Sequence, residues 1–300
     1  MPQNRPTVRP AILREVRQRC GFGCVICGLP IFEYDHLLGW SKVKRHVASE
    51  ITLLCPDHHA GKTRGFLSDE RVIAANKNPR NKQIGATKPY ALEFDGTSYL
   101  IRMGYHVQVD ANHKPPIAQA LVIDGDPLLW LNIQDGHYLL NLLVFDSSNR
   151  LVLLIDDNEL VLNAHSWDIE LVGTRLRIRE NLGVILFDIV FTPPSTVTIR
   201  QGYFIRNGVE VLILPEVAVV LNSRHFFQVV FRNITAGLVV GETPLRSGGS
   251  SGVRVTGVPR EGWDREESIR WARNLAKSLK KSDEDALNEL LRSPTMNPPR

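Results

Sequence analysis

The chain has 300 residues, a hydrophobic fraction of 43% and a formal net charge of +4, which are ordinary values for a globular protein of two domains. No stretch approaches the roughly 20 consecutive apolar residues of a membrane helix, and the first residues lack the apolar core of a signal peptide. We therefore expect a cytoplasmic protein without a membrane partner, in which thiols stay reduced and clustered cysteines act as metal ligands rather than forming disulfides.

Charge is unevenly distributed along the chain. Residues 1–85 hold 14 Lys and Arg against 7 Asp and Glu, whereas the remainder holds 22 against 25. A basic N-terminal segment followed by a nearly neutral remainder favours a polyanionic partner that binds the N-terminal segment.

The first elements are short. Residues 10–19 have the apolar spacing of a helix, residues 32–38 and 51–54 are strand-like runs, and residues 56–65 read as a second helix. This order predicts a β-hairpin followed by a helix, within a domain of residues 1–85.

The residue pattern is different from residue 90 to residue 238, where runs of Val, Ile, Leu and Phe alternate with residues typical of turns. The intervals are too short for crossover helices, so we expect an antiparallel all-β accessory or sensor domain, with sandwich, barrel and solenoid all open. A Gly/Ser linker is predicted at 239–262, amphipathic helices at 263–292 and a disordered tail at 293–300. The β domain or the tail is the expected surface for a second copy or a partner protein.

Two pairs of candidate metal ligands lie in the first domain. Cys24 and Cys27 have Cys-x-x-Cys spacing, and Cys55 and His58 are three residues apart at the start of a helix, where both point the same way. Three thiolates and one imidazole are typical of a closed tetrahedral zinc site. We expect this zinc to be structural, because so small a domain has little core of its own. Cys20 is expected to be a buried thiol.

Three further residues have the chemistry of metal-assisted phosphodiester hydrolysis. Asp35 and His36 are adjacent on the first strand, and His59 lies about 100° around the helix from its neighbour His58. A carboxylate and an imidazole can hold hydrated Mg²⁺ while a second imidazole takes a proton from water. Strand neighbours face opposite sides, so either the strand is distorted near Asp35 or only one of the two reaches the site.

The combined motif resembles that of the HNH endonucleases, which have the ββα-metal fold. It consists of Cys24-x-x-Cys27, Asp35-His36, His46 and Ile51-Thr52-Leu53-Leu54-Cys55-Pro56-Asp57-His58-His59-x-x-Lys62, and the resemblance covers about residues 10–70. We expect His46 to be a loop residue rather than a metal ligand. It implies that His36 is the general base and that Asp35 and His59 bind the catalytic Mg²⁺ or Mn²⁺. The implied reaction is hydrolysis of a phosphodiester, with double-stranded DNA as the expected substrate and restriction or phage defence as a setting.

One position departs from the family pattern. The family's central Asn usually lies five residues before the third zinc ligand, and that position here is Glu50. Asn donates and accepts hydrogen bonds, whereas ionised Glu only accepts them. Glu50 either replaces the Asn structurally, approaches the metal or indicates weakened activity. Lys62 and Arg64 are candidate nucleic-acid contacts, and the alternative is that they solvate the end of the helix.

The sequence thus predicts an α+β multidomain protein, in which a small zinc-stapled ββα-metal module precedes an all-β domain and a short helical tail. The predicted function is that of a metal-dependent HNH-type endonuclease. Two alternatives stay open. One is a non-catalytic zinc-dependent nucleic-acid-binding module, and the other is a nuclease that acts only after a signal reaches the β domain.

Overall fold

The computed structural model describes residues 6–90, 92–94, 98–110, 117–161, 168–181 and 184–279. The architecture is mixed α+β, with mostly β-sheet and few helices. The chain divides into two compact units, which we call unit 1 (Met1–Tyr90 with Asn158–Val184) and unit 2 (Ala91–Asp157 with Ile185–Arg300). Among the described residues, no helix is both long enough and apolar enough to span a membrane.

The bounds of the helices and strands are as follows. The helices are α1 (Pro10–Cys20), α2 (Trp40–Val43), α3 (Pro56–Thr63), α4 (Asp69–Lys77), α5 (Arg80–Ile84) and α6 (Arg265–Ser278). The strands are β1 (Glu33–His36), β2 (Ile51–Leu54), β3 (Leu92–Glu93), β4 (Tyr99–Met103), β5 (His106–Asp110), β6 (Ile117–Ile123), β7 (Asp126–Gln134), β8 (His137–Phe145), β9 (Leu151–Asp156), β10 (Glu159–Val161), β11 (Asp168–Val172), β12 (Arg175–Asn181), β13 (Val184–Thr192), β14 (Thr196–Arg206), β15 (Val209–Leu214), β16 (Val217–Val220), β17 (His225–Phe227), β18 (Val230–Arg232), β19 (Ala236–Val240) and β20 (Ser251–Val255).

The predicted helix–hairpin–helix order of unit 1 is confirmed. Helix α1 has proline at its first position and ends at Gly21, whose φ of +71° is the left-handed conformation that glycine adopts readily. Strands β1 and β2 pair antiparallel, and β2 leads directly into α3. Val16 of α1, Leu53 of β2 and Val72 of α4 are fully buried in one apolar core.

Residues 158–184 belong to unit 1, although the sequence places them within the predicted all-β domain. Strands β11 and β12 form an antiparallel hairpin, and β11 contacts α1. Arg17 of α1 is 5% exposed, and its Nε and Nη2 donate to the two carboxylate oxygens of Asp168 at 2.6 and 2.7 Å. Burial alone would lower the pKa of Arg17, but the hydrogen bond to Asp168 raises it above its ordinary value. A buried guanidinium needs a carboxylate, which β11 provides.

We predict that Asp168→Ala destabilises unit 1 by about 3 kcal/mol, because it leaves a buried guanidinium without its bidentate partner. The measurement is urea denaturation of the full chain. Arg150→Ala is the matched control, since the Arg150 side chain is 79% exposed in its pair with Asp146 and its loss should change stability by less than about 0.5 kcal/mol. Equal effects of the two substitutions would contradict the prediction.

Unit 2 contains two sheets. The strand order of the first sheet is β9-β8-β7-β6-β19-β20, and β3 pairs with β8. The strand order of the second sheet is β13-β14-β15-β16-β17. In this second sheet β4 also pairs with β14, β5 pairs with β4, and β18 pairs with β5. The strands from β6 to β9 and from β13 to β17 pair antiparallel with their neighbours in sequence, as expected. In contrast, β4 with β14, β5 with β18 and β6 with β19 pair parallel. These parallel pairs join segments remote in sequence, which local patterns of apolar residues and turns cannot predict.

The predicted Gly/Ser linker at 239–262 contains strand β20. Val253 and Val255 of β20 lie opposite Leu238 and Val240 of β19 in parallel register. The valines of β20 are β-branched, and such side chains favour a pleated, half-buried surface. The irregular Gly- and Ser-rich connection between β19 and β20 is residues 241–250.

Helix α6 packs its apolar face on strands of unit 2. Ala272 and Ala276 are buried against Val217 and Val219. The structure describes the first of the helices predicted for 263–292, and the remainder of that segment and the predicted tail at 293–300 lie outside the described residues.

His106, at the start of β5, is buried without a hydrogen-bond partner among the described residues for either ring nitrogen. The rings of Phe227 and Phe231 lie 6.4 and 5.9 Å from its own. Burial in this apolar site lowers the pKa of His106 from 6.5 to about 4. The folded protein therefore holds a neutral imidazole where the unfolded chain would bind a proton.

We predict that the stability of unit 2 falls as the pH is lowered from about 6.5 to 4, because the unfolded state binds one more proton over that interval. The full loss attributable to His106 is about 3 kcal/mol. Urea denaturation at pH 7 and pH 4.5 measures it, and His106→Phe should show a smaller loss than the wild type. The exposed His225 is the control, because His225→Ala should leave the pH dependence as it is. An unchanged pH dependence in His106→Phe would refute the assignment.

Candidate metal centre and neighbouring histidine site

Four predicted ligands converge in unit 1. Cys24 and Cys27 lie on the turn after α1, whereas Cys55 precedes α3 and His58 lies in its first turn. The backbone closes the turn through hydrogen bonds from the Cys24 N–H to the Leu29 carbonyl and from the Gly28 N–H to the Cys24 carbonyl. The four ligand atoms all lie within 4.8 Å of one another.

The distances fit a tetrahedral zinc ion. Bonds of about 2.3 Å to sulfur and 2.0 Å to nitrogen place two sulfurs about 3.8 Å apart, and a sulfur and a nitrogen about 3.5 Å apart. Cys27 Sγ and Cys55 Sγ are 3.7 Å apart, and Cys24 Sγ lies 3.5 Å from His58 Nδ1. Cys55 Sγ lies nearer, at 3.0 Å from the same nitrogen. The cluster can therefore hold a structural zinc ion.

The protonation of the cluster also suits a cation. A hydrogen bond from Cys27 lowers the pKa of Cys24, which favours a thiolate at that position. Cys20 lies outside the cluster and is fully buried, as expected. Burial raises the pKa of Cys20, which keeps it a protonated thiol.

Asn81 braces the cysteine turn and was not anticipated from the sequence. Its side chain is buried, and its Nδ2 donates to the Gly21 carbonyl at 2.8 Å and to the Gly28 carbonyl at 3.2 Å. A Cβ at Gly23 or Gly28 would collide with the Asn81 amide, which explains the glycines on both sides of the cysteine pair.

We predict that the purified chain holds one zinc ion and that Cys24→Ser and Cys55→Ser each abolish tight retention of that ion. Loss of a ligand also removes the folding free energy that the ion contributes, so unit 1 should unfold at lower denaturant concentration. Elemental analysis after dialysis measures the content. Cys20→Ser is the matched control and should keep the zinc; retention by all three variants would rule out this ligand set.

A second cluster lies where β1 faces α3. His59 Nδ1 is 2.8 Å from Glu33 Oε2, and His59 Nε2 is 3.6 Å from Asp35 Oδ1. Because the Glu33 carboxylate can only accept, His59 Nδ1 carries the hydrogen of this contact, and Nε2 is the nitrogen that faces Asp35. The structure thus brings together the predicted metal-binding pair and adds Glu33 to it.

Lys62 belongs to the same cluster and is not available at the surface. Its side chain is 8% exposed, and Nζ donates to Asp35 Oδ2 and to the carbonyl oxygens of His36 (2.7 Å) and Leu37 (3.1 Å). The predicted contact of Lys62 with nucleic acid would require these bonds to break. Arg64, at the end of α3, is exposed.

His36 lies in a different set of contacts. The pairing of β1 with β2 runs without a shift to His36 opposite Ile51, so the strand is not distorted at Asp35 and the two neighbours face opposite sides. The His36 side chain is buried beside Trp40 and His46. Lys62 links the two sets through the Asp35 carboxylate and the His36 carbonyl.

Glu50 occupies the family's Asn position with a different role. Its carboxylate forms an ion pair with Arg45, with Oε2 3.0 Å from Arg45 Nε, and this hydrogen bond lowers the pKa of Glu50. Its backbone carbonyl accepts from the Leu37 N–H at 2.9 Å. Glu50 therefore braces the chain after His36 through its backbone, while its side chain binds Arg45.

Glu33 is absent from the predicted site residues, although its position carries a signal, and His46 is predicted only as a loop residue of the motif. Glu33 precedes Asp35 by two residues on a strand, the spacing that places two side chains on one face. His46 follows in an irregular segment, where no periodicity fixes the direction of a side chain.

No protein-family model, curated protein or solved structure matches this chain. The geometry of unit 1 therefore carries the functional argument.

Proposed function

We propose that unit 1 is a metal-dependent phosphodiester hydrolase of the HNH type, with DNA as its substrate. The observation that carries the proposal is the pairing of Asp35 with His59 Nε2, 3.6 Å apart, directly after the last zinc ligand. The family resemblance implies a structural zinc site with a carboxylate and an imidazole next to it that bind a second metal ion.

Asp35 and His59 would hold the catalytic Mg²⁺ or Mn²⁺. The ligands of an octahedral Mg²⁺ lie about 3 Å apart when adjacent, so a small side-chain rotation brings this pair to ligand distance. When bound, the ion stabilises the charge that develops on the phosphate and on the leaving oxygen. Glu33 fixes the tautomer of His59, and Lys62 neutralises the second oxygen of Asp35.

His36 is the proposed general base. It is the last residue of β1, and its side chain lies on the opposite face of the strand from Asp35. This role therefore requires the substrate to reach around the end of β1. The excess of basic residues in the first 85 positions supports a polyanionic substrate, and the exposed Arg64 is a candidate phosphate contact.

The non-catalytic alternative is favoured by two observations. His36 is only 2% exposed, and the Glu50 side chain is paired with Arg45. A module built this way could bind nucleic acid through its charge while the base stays out of reach of water.

The third hypothesis, a nuclease controlled by the β domain, needs a different test from simple truncation. A fragment of residues 1–85 would lack β11, and Arg17 would lose Asp168. Such a fragment would lose stability for a reason unrelated to regulation, so activity is better tested in the full chain.

We predict that the full chain cleaves supercoiled plasmid in the presence of Mg²⁺ or Mn²⁺ and that chelation stops the reaction. His36→Ala should lower kcat by about 10²- to 10⁴-fold, the usual contribution of a general base. Asp35→Asn and His59→Ala should raise the metal concentration needed for half-maximal rate. The measurement is the rate of conversion to nicked and linear plasmid, with an RNA of the same sequence run in parallel.

The exposed His225→Ala is the matched control and should cleave at the wild-type rate. Zinc content is measured in every variant, so that loss of the fold is not mistaken for loss of chemistry. Binding of DNA by a zinc-loaded wild type without any cleavage would overturn the proposal in favour of the non-catalytic module.

A further inference from the structure

A cavity of about 410 Å³ lies on one face of the second sheet of unit 2. Val190 of β13, Thr198 of β14 and Arg102 of β4 line it in one row across the sheet. They are neighbours because β14 pairs with both other strands, and Thr198 lies opposite Val190 on one side and Arg102 on the other. Sites for small molecules have volumes of roughly 300–1,000 Å³, so this cavity can hold one.

Two turns also line the cavity. One contains Gly104, directly after β4, and the other contains Pro215 and Glu216, between β15 and β16. A Cβ added to Gly104 would lie 2.6 Å from the backbone nitrogen of Val217, so only glycine permits the two turns to come this close. This close approach holds the turn that carries Glu216 against the end of β4.

Arg200 lines the cavity from a β-bulge. The pairing of β14 with β13 shifts between Ile199 and Gln201, which makes Arg200 the extra residue of β14. Bulges change the direction of a side chain and are common beside functional sites. Arg200 lies two residues beyond Thr198, the partner of Arg102 on the adjacent strand, so the Cα atoms of the two arginines are about 8 Å apart. Both guanidinium groups can therefore reach one anion between them.

The charged groups of the cavity have no partners within the described part of the chain. Arg102, Arg200 and Glu216 form neither an ion pair nor a side-chain hydrogen bond with another described residue. Arg206, at the end of the same strand as Arg200, instead pairs with Asp126 at 2.8 Å. Guanidinium groups bind the oxygens of phosphates and carboxylates through parallel hydrogen bonds, and this pair is available for an anion from outside the protein.

We propose that this cavity binds a phosphate monoester of a small hydroxylated molecule, that is, a sugar phosphate or a nucleotide. A phosphate monoester carries a charge of about −1.5 to −2 at neutral pH, which two guanidinium groups balance, whereas a carboxylate carries a single charge. The Thr198 hydroxyl can donate to a further phosphate oxygen. The Glu216 carboxylate only accepts, so it binds hydroxyl groups of the organic part, and Val190 and Pro215 provide apolar contacts.

This inference goes beyond the proposed function, because it gives unit 2 a ligand of its own. Every residue that it uses belongs to unit 2, and none belongs to the zinc cluster or to its histidine neighbours. A chain that binds the phosphate ester without cleaving DNA would refute the hydrolase and support this proposal.

The test is isothermal titration calorimetry of the zinc-loaded full chain with ribose 5-phosphate, the fragment that pentose phosphates and nucleotides share. Arg102→Gln and Arg200→Gln should each weaken binding by about 10-fold or more, because each removes a charge-assisted hydrogen bond. Neither arginine has a partner among the described residues, so both variants should keep the urea midpoint of the wild type. Loss of binding is thereby separated from loss of the fold.

Arg273→Gln is the matched control, because Arg273 is an exposed arginine of α6 that does not line the cavity. This variant should bind ribose 5-phosphate with the affinity of the wild type. Absence of binding by the wild type, or an equal loss in all three arginine variants, would overturn the proposal.

Inorganic phosphate tests the role of Glu216. Glu216→Ala should weaken the binding of ribose 5-phosphate by about 3- to 10-fold, since it removes an acceptor for hydroxyl groups. The same variant should bind inorganic phosphate as well as the wild type or more tightly, because the lost carboxylate repels the anion. Equal weakening of both ligands would refute the contact between Glu216 and the organic part.

Adenosine monophosphate separates the two sources of the phosphate ester. Tighter binding of adenosine monophosphate than of ribose 5-phosphate would assign a nucleotide to the cavity, and equal or weaker binding would assign a sugar phosphate.

Discussion

The convergence of the cysteine turn with the first turn of α3 is the constraint on which unit 1 depends. An ion held by the four ligand atoms ties the segment after α1 to the start of α3, and through Cys55 to the end of β2. The hairpin of β1 and β2 is thereby fixed relative to α3. His59 follows the last ligand directly, and its Nε2 lies 3.6 Å from Asp35 Oδ1.

Much of this cluster can be predicted from the sequence because it is local. Cys24 and Cys27 share one turn, and Cys55 and His58 share another. The two spacings indicate two pairs of ligands, and the only long-range inference needed is that the two pairs lie next to each other. The helix geometry of α3 then separates His58 from His59, since consecutive helical residues point about 100° apart. The same reasoning about strands explains why Asp35 and His36 lie in different contact sets.

Other features could not be predicted because they join remote segments. Arg17 and Asp168 are 151 residues apart, and nothing near either residue indicates the other. The segment that contains Asp168, residues 158–184, belongs to unit 1, although its alternating apolar pattern is typical of a β domain. The burial of the Lys62 side chain could not be predicted either, because a lysine near a helix end usually extends into solvent.

The two imidazoles of the site are engaged by different groups. His59 Nδ1 donates to Glu33, and its Nε2 lies 3.6 Å from Asp35 Oδ1. His36 Nε2 instead lies 3.3 Å from His46 Nδ1. The two histidines thus have different surroundings, although the side chains are chemically identical. The sequence reveals which residues can do this chemistry, but only their neighbours in the fold decide which nitrogen does it.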